Sequence, residues 1–390
     1  VLKRSKNLDR GDWSIKFLQE GGFTHLLSML LDGEIELTPS SAVSKHCISI
    51  LLRVIDHFLK VNQACGLENT PPEKLDQLIG MCMDFVAETA LLSTPTQPNG
   101  TLPRALPGEE PPSPQDSADE EAEYLGFSTD ELNGQLVRQA LTLVTSCVHL
   151  RKGSEALLLY GPKSGSGRGI ELGDWLRMVL LKADGYSIRR SAADCLALLL
   201  RPNDPETHDL AVRVIPQLLG FLDSGTDMMG GEGEPYFSLV TKILSFPGLE
   251  TIIRDLQAVM NLVLNKLFSH PVMEESDSGP EDQVLCGLLH LASTLVRACP
   301  TLSLEAVLPS GESWDLMRET FHNCLFGVSG VDSAVRIRGE STSLSSLPNN
   351  VAINHRVLPK CKTVGSRQAA KDLLVVLSES NHIHFLLRAT

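Results

Sequence analysis

Cys286 and His290 stand four residues apart, which on a helix puts a thiol and an imidazole on one face at metal-ligand reach. A structural zinc site needs two further ligands at a suitable spacing, and none occurs. Leu285, Leu288, Leu289 and Ala292 surround the pair, so it reads as a core thiol beside a boundary histidine. His322-Asn323-Cys324 holds the residue types of a thiol peptidase, but neighbours on a helix point apart and such a site is assembled from distant segments. His355, Cys361, His382 and His384 form a loose C-terminal cluster that lacks a metal-site spacing. The loop Gly161 to Gly169, GPKSGSGRG, invites a phosphate-loop reading. That loop needs a second glycine five residues on, followed at once by Lys and Ser or Thr; here Ser166 takes the place. The run before it is leucine-rich rather than β-branched, so a solvated surface loop is expected. No catalytic, cofactor-binding or metal-ligating residue is assigned, and no cofactor is expected.

The elements that carry these residues read as helices. The organising stretch is Asp184 to Leu200, with Ile188, Ala192, Cys195, Leu196, Leu199 and Leu200 at steps of three and four. Asp184 is placed to accept from free amides at the helix start, with Gly185 as the turn. Trp13 to Leu31 predicts two short helices joined at Gly21-Gly22. Ser40 or Ser41 caps a helix to about Gln63, with Val43, Cys47, Ile50, Leu51, Val54, Ile55, Phe58 and Leu59 on its buried side. Pro71-Pro72 precedes a helix over Glu73 to Leu92.

Further helices are predicted over Thr129 to Leu150 and Leu172 to Lys182, then over Pro205 to Leu222, with a kink or break at Pro216. The pattern continues over Tyr236 to Leu244, Leu249 to Phe268, Asp282 to Cys299, Ser313 to Leu325 and Ser366 to Ser378. Ser93 to Glu123 is different in kind. Its seven prolines and seven acidic residues come with almost no bulky apolar side chains, so it reads as a disordered acidic loop. Thr94-Pro95 and Ser113-Pro114 within it are candidate phosphorylation sites. The resulting segments are 1–92 and 128–326 as helical arrays, 93–127 as the acidic loop, 327–365 as a connector and 366–390 as a terminal helix and tail.

Composition narrows the class. Hydrophobic residues make up 42% and aromatics 5%, dominated by leucine on helix-length segments, which favours an all-α chain. A net charge of -14 leaves no basic footprint for nucleic acid and disfavours an anionic membrane surface, so proteins are the expected partners. A local exception is the basic run Arg336, Arg338, Arg356, Lys360, Lys362, Arg367 and Lys371, which reads as a solvated positive face or a meeting surface for acidic segments. Nine cysteines lie scattered without a CxxC pair. Cys47, Cys82, Cys147, Cys195 and Cys286 fall in apolar stripes and read as reduced core thiols of a cytoplasmic or nuclear protein. No apolar run reaches a membrane span of roughly 18–20 residues. The chain opens on Val1 without a signal-like region and reads as a fragment.

Helix pairs recur about every 40 residues, the period of HEAT and armadillo units. The predicted fold is an all-α, HEAT/armadillo-like α-solenoid with long loops, with a compact irregular α-bundle as the competing fold. The stretch Pro359 to Leu377, PKCKTVGSRQAAKDLLVVL, resembles a segment of very large ubiquitin-specific peptidases. Cys361-Lys362, Ser366-Arg367, Ala369-Ala370 and Asp372-Leu373-Leu374 carry the resemblance, while Lys371 departs from it where an aromatic residue is expected. The resemblance implies a non-catalytic helical scaffold ahead of a cysteine peptidase domain, with ubiquitinated substrates, regulators or that domain as partners. The family's Asn-x-Gly-x-Thr-Cys-Tyr box and its His box do not occur here, so no catalytic residue carries over and this chain is expected not to be an enzyme. The alternative is a stand-alone HEAT/armadillo adaptor unrelated to ubiquitin.

Overall fold

The computed structural model describes residues 13–31, 38–65, 70–93, 126–161, 170–223, 233–269, 280–299 and 363–380. All regular structure among them is helical. The chain divides into two compact units, Val1–Val214 and Ile215–Thr390.

In the first unit, α1 (13–19) and α2 (Gly22–Leu31) meet at Gly21, whose φ of +75° lies in the left-handed region that glycine favours. α3 (Ala42–Cys65) starts where Ser41 Oγ accepts from the Ser44 N–H at 3.1 Å. α4 is Pro72–Ser93 and α5 is Thr129–Arg151. At the start of α5, Ser128 Oγ accepts from the Glu131 N–H while the Glu131 carboxylate accepts from the Ser128 N–H, a reciprocal cap. The expected stripe of α5, from Leu132 through Leu136, Ala140, Leu143 and Val144 to Val148, is fully buried.

A short α6 (Glu155–Leu158) leads to α7 (Leu172–Arg177), whose last turn opens into a π-turn over Met178–Lys182. α8 is Tyr186–Leu199 and α9 is His208–Gly220. The division between the units falls inside α9, which runs through Pro216 without the expected break.

α5 is the hub of this unit and packs against α3, α4 and α8. Ala42 clusters with Leu132, and Ser146 Oγ donates to Asp56 Oδ1 at 2.6 Å, both pairs 90 residues apart in sequence. The Ser187 N–H donates to Asp130 Oδ2 at 3.2 Å and Cys195 Sγ lies 3.9 Å from the Arg138 carbonyl, both pairs 57 apart. A constant offset along a helix means a parallel neighbour, so α3, α5 and α8 run in the same direction. α4 has its N-terminal turn beside the C-terminal end of α5, where Arg151 pairs with Asp76. Trp175 of α7 is fully buried and donates from Nε1 to the Met83 carbonyl at 3.1 Å, tying α7 to α4. Around Trp175 and Met83 the interior retains a void of about 20 Å³, no larger than a water needs.

Three expectations are corrected here. Asp184 does not cap α8: Gly185 is the N-cap without a side-chain bond, and Asp130 of the neighbouring helix serves the Ser187 amide instead. The reason is close approach, because a Cβ on Gly185 would lie 2.4 Å from Asp130 Oδ1. Cys47 is an exposed thiol, whereas Cys82, Cys147 and Cys195 are buried as expected. With it, Val43 (47% exposed) and Ile50 (49%) face outward. The face of α3 turned inward instead carries Lys45, Ile48, Ser49, Leu52, Ile55, Leu59 and Asn62.

The second unit repeats the hub plan. α10 (Glu234–Leu244), α11 (Leu256–Ser269) and α13 (Val364–Glu379) all pack on α12 (Pro280–Ala298). The single helix expected over Leu249 to Phe268 is a 3-10 turn at Leu249–Thr251 followed by α11. Asp255 makes the break, its Oδ1 accepting from the Ala258 N–H at 2.9 Å. Tyr236 is fully buried and donates to the Leu218 carbonyl at 2.6 Å; burial pushes its phenol well up. In α13, Ser366, Ala369, Ala370 and Leu373 are buried while Lys371 is exposed. The small residues quoted for the family resemblance are thus the packing face of this helix.

Candidate functional site

Each sequence-singled residue that the structure describes sits on a helix surface or in a core. Cys286 and His290 do share a face, in an open groove of about 400 Å³ between α10 and α12. On its floor Gly287 lets the ring of Phe237 come close; a Cβ there would meet the ring at 2.2 Å. Lys242, Gln283, Ser238 and Thr241 also line it, a mixed polar wall over an apolar floor. Gln283 Oε1 is buried there with no hydrogen-bond partner among the described residues. Cys286 is half-buried and His290 exposed, so the expected core thiol is a groove thiol. The pair does not belong to a group of three or more metal-competent side chains among the described residues.

Sequence reading missed a different convergence. His149 at the end of α5 and Asp204 and Glu206 in the turn before α9 bring their ligand atoms all within 4.8 Å of one another. His149 Nδ1 pairs with Glu206, and Asp204 Oδ1 accepts from the Glu206 N–H at 3.0 Å. The three already satisfy one another as a polar clip that holds the turn to the hub helix. No spacing rule finds such a group, because His149 is 55 and 57 residues from Asp204 and Glu206 and meets them only in the folded chain.

Three buried thiols of the first unit, Cys82, Cys147 and Cys195, are unsuited to nucleophilic work. Burial pushes Cys82 and Cys147 far up, away from the thiolate form that attacks. Burial also raises Cys195, against the smaller lowering influence of its Thr142 hydrogen bond. The Asp76 carboxyl is raised by burial even with the Arg151 guanidinium beside it. This bridge and the Tyr160 hydroxyl donating to Asp84 at 2.7 Å clamp α4 to its neighbours. Both are structural.

Of the remaining candidates, residues 162–169 of the glycine-rich loop, His322-Asn323-Cys324, His355, Cys361, His382 and His384 lie outside the described residues. So do Thr94-Pro95, Ser113-Pro114 and the basic residues from Arg336 to Lys362. Arg367 and Lys371 stand on α13, half-buried and exposed respectively. No described helix is long and apolar enough to cross a membrane.

No protein-family model and no solved structure matches the chain. It is 26% identical over 234 residues, 55% of its length, to ubiquitin carboxyl-terminal hydrolase 34 of Homo sapiens. The match spans 6% of that protein, so what the chain resembles is a small stretch of a very long ubiquitin-specific peptidase.

Proposed function

We propose that this chain is a non-catalytic helical scaffold of a ubiquitin-specific peptidase, with an α-solenoid arrangement that offers helix surfaces to ubiquitinated substrates, regulators or a peptidase domain. The observation that carries the reading is the 234-residue likeness to a ubiquitin carboxyl-terminal hydrolase, in keeping with the residues quoted from α13. The parallel stack of α3, α5 and α8 supports the solenoid, since stacked repeats bury what each unit leaves open. The deeply buried thiols and the self-satisfied His149 clip favour a scaffold over an enzyme.

The test is to read the parent transcript past Thr390 and to assay the chain itself. An in-frame Asn-x-Gly-x-Thr-Cys box downstream, with no turnover of a ubiquitin–fluorophore substrate by the chain alone, is the expected pair of results. A parent without a peptidase domain replaces this reading with the stand-alone adaptor. Turnover abolished by changing a single cysteine overturns the non-catalytic assignment.

A further inference from the structure

Acidic side chains ordinarily face water, and Asp204 and Glu206 depart from that rule together. Along 201–206 the exposure alternates: Arg201, Asn203 and Pro205 are exposed, Pro202 is buried, and Asp204 and Glu206 are half-buried. Both carboxylates are turned toward the C-terminal end of α5, where His149 stands. Among the described residues neither is paired with a lysine or an arginine. The counter-charge within ion-pair reach is the His149 imidazole, which is charged only when protonated. The last turn of α5 adds the negative end of a helix dipole. Two half-buried carboxylates with one conditional cation leave the site short of positive charge.

The frame that carries these groups is held by other bonds. The Asp204 N–H donates to the Arg201 carbonyl and the Thr207 N–H to the Asp204 carbonyl, each at 3.2 Å. His208 donates from Nδ1 to the Pro202 carbonyl at 2.9 Å, closing the same turn. His149 is carried by α5, the hub of the unit. One ligand atom from each of His149, Asp204 and Glu206 lies within 4.8 Å of the other two. A tetrahedral zinc with bonds of about 2.0–2.2 Å holds its ligand atoms roughly 3.3–3.6 Å apart, so small side-chain rotations close the three on one ion. The side chains of His149 and Glu206 are 39% and 30% exposed, which leaves a path for entry. Thr207, next to Glu206, is fully buried, and its Oγ1 has no hydrogen-bond partner among the described residues. A buried hydroxyl left over at such a turn calls for a polar group, a water or an ion, that the protein does not supply.

We propose that His149, Asp204 and Glu206 bind a divalent transition-metal ion of the zinc class, which pins the turn before α9 to the end of the hub helix. One imidazole with two carboxylates suits zinc, whereas magnesium and calcium take oxygen ligands throughout. Nδ1 of His149 is the ligand nitrogen, since it is the one that meets Glu206. The proton that Nδ1 donates to that carboxylate leaves on binding, and the ion takes its place with a full double charge. Three protein ligands leave a fourth position for water. The inference goes beyond the scaffold reading and stands independently of any link to ubiquitin.

The experiment titrates the chelator-treated full chain with Zn2+ and follows the reaction of diethyl pyrocarbonate with each histidine by peptide mass spectrometry. Metal-free His149 keeps a lone pair on Nε2 and reacts. With zinc on Nδ1 the proton sits on Nε2, and neither nitrogen is nucleophilic. Modification of His149 is therefore expected to fall saturably, by at least about fivefold, while that of the exposed His25 is unchanged. Asp204→Asn and Glu206→Gln each keep a hydrogen-bonding side chain but lose the charge, and raise the Zn2+ concentration that protects His149 at least about tenfold. Mg2+ gives no protection. If a variant loses its helical circular dichroism, the wild-type titration decides alone. Unprotected His149, protection that both variants retain at the wild-type concentration, or equal protection by Mg2+ overturns the proposal. So does zinc held by thiols alone, seen as uptake that iodoacetamide abolishes while His149 stays reactive.

Discussion

At the scale of single residues, the tightest constraint is a pair of glycines. A Cβ on Gly134 of α5 would lie 2.5 Å from the Ser187 Cβ and 2.9 Å from its carbonyl carbon and oxygen, and backbone cannot swing aside as a side-chain tip can. Gly134→Ala gains helix propensity of about 1 kcal/mol but overpacks at a cost of about 1–3 kcal/mol, so a net loss is expected. The urea midpoint falls in this variant. Gly153→Ala, where nothing lies within 4 Å, serves as the control and leaves the midpoint nearly unchanged. A midpoint for Gly134→Ala at or above wild type would show that α5 and α8 are not in this contact. Gly287 plays the same part in the second unit, with the Phe237 ring in place of backbone.

At the scale of elements, the reciprocal cap of α5 ties stability to pH. The hydrogen bond from the Ser128 amide holds the Glu131 carboxyl below its ordinary value of 4.5. A carboxyl lowered on folding contributes stability that is present above its unfolded value and lost as the pH falls through the folded one. Glu131→Gln is therefore expected to lower the melting temperature at neutral pH, and the gap from wild type closes on acidification below about 4. A gap independent of pH would mean that the carboxylate charge has no part in the cap. Helix ends of this sort were legible in the sequence: Ser128 before an apolar run, and Ser41 before α3, are local signals. The inner face of α3 was not. Of its expected stripe Ile55, Phe58 and Leu59 are buried, but Val43, Cys47 and Ile50 face outward because packing against α5 is set by Ala42 and Asp56, and no local rule says which of two plausible stripes a neighbour will cover. The split at Asp255 was written in the sequence too, as an N-cap residue within an apolar run, but the run's hydrophobicity masked it.

At the scale of the whole molecule, the division between Val214 and Ile215 falls in mid-helix, where composition gives no signal. Burial runs on across it. Leu210, Ala211 and Val214 are buried in one half, and Ile215, Leu218 and Leu219 in the other. A fragment ending at residue 223 keeps α9 whole and is expected to melt cooperatively with high helical circular dichroism. One ending at residue 214 leaves about two turns of α9, too short to hold without packing, and melts at lower temperature. Equal melting of the two fragments would show that the second half of α9 adds nothing to the first unit. The His149, Asp204 and Glu206 clip belongs to this scale as well, since His149 meets the other two through packing rather than along the chain.

That register also bears on the rate of folding. Bringing α3 to α5 closes 90 residues of chain, and bringing α8 to α5 closes 57. The difference in closure entropy is about 0.4 kcal/mol, a factor of two in rate. Neither docking is strongly favoured by chain length alone, although both are made on α5. The expected nucleus is therefore the central helix with either neighbour, so folding of this unit is expected to turn on distant encounters rather than on stepwise zipping from one end, and Gly134→Ala in α5 is expected to slow folding more than it speeds unfolding in stopped-flow urea jumps.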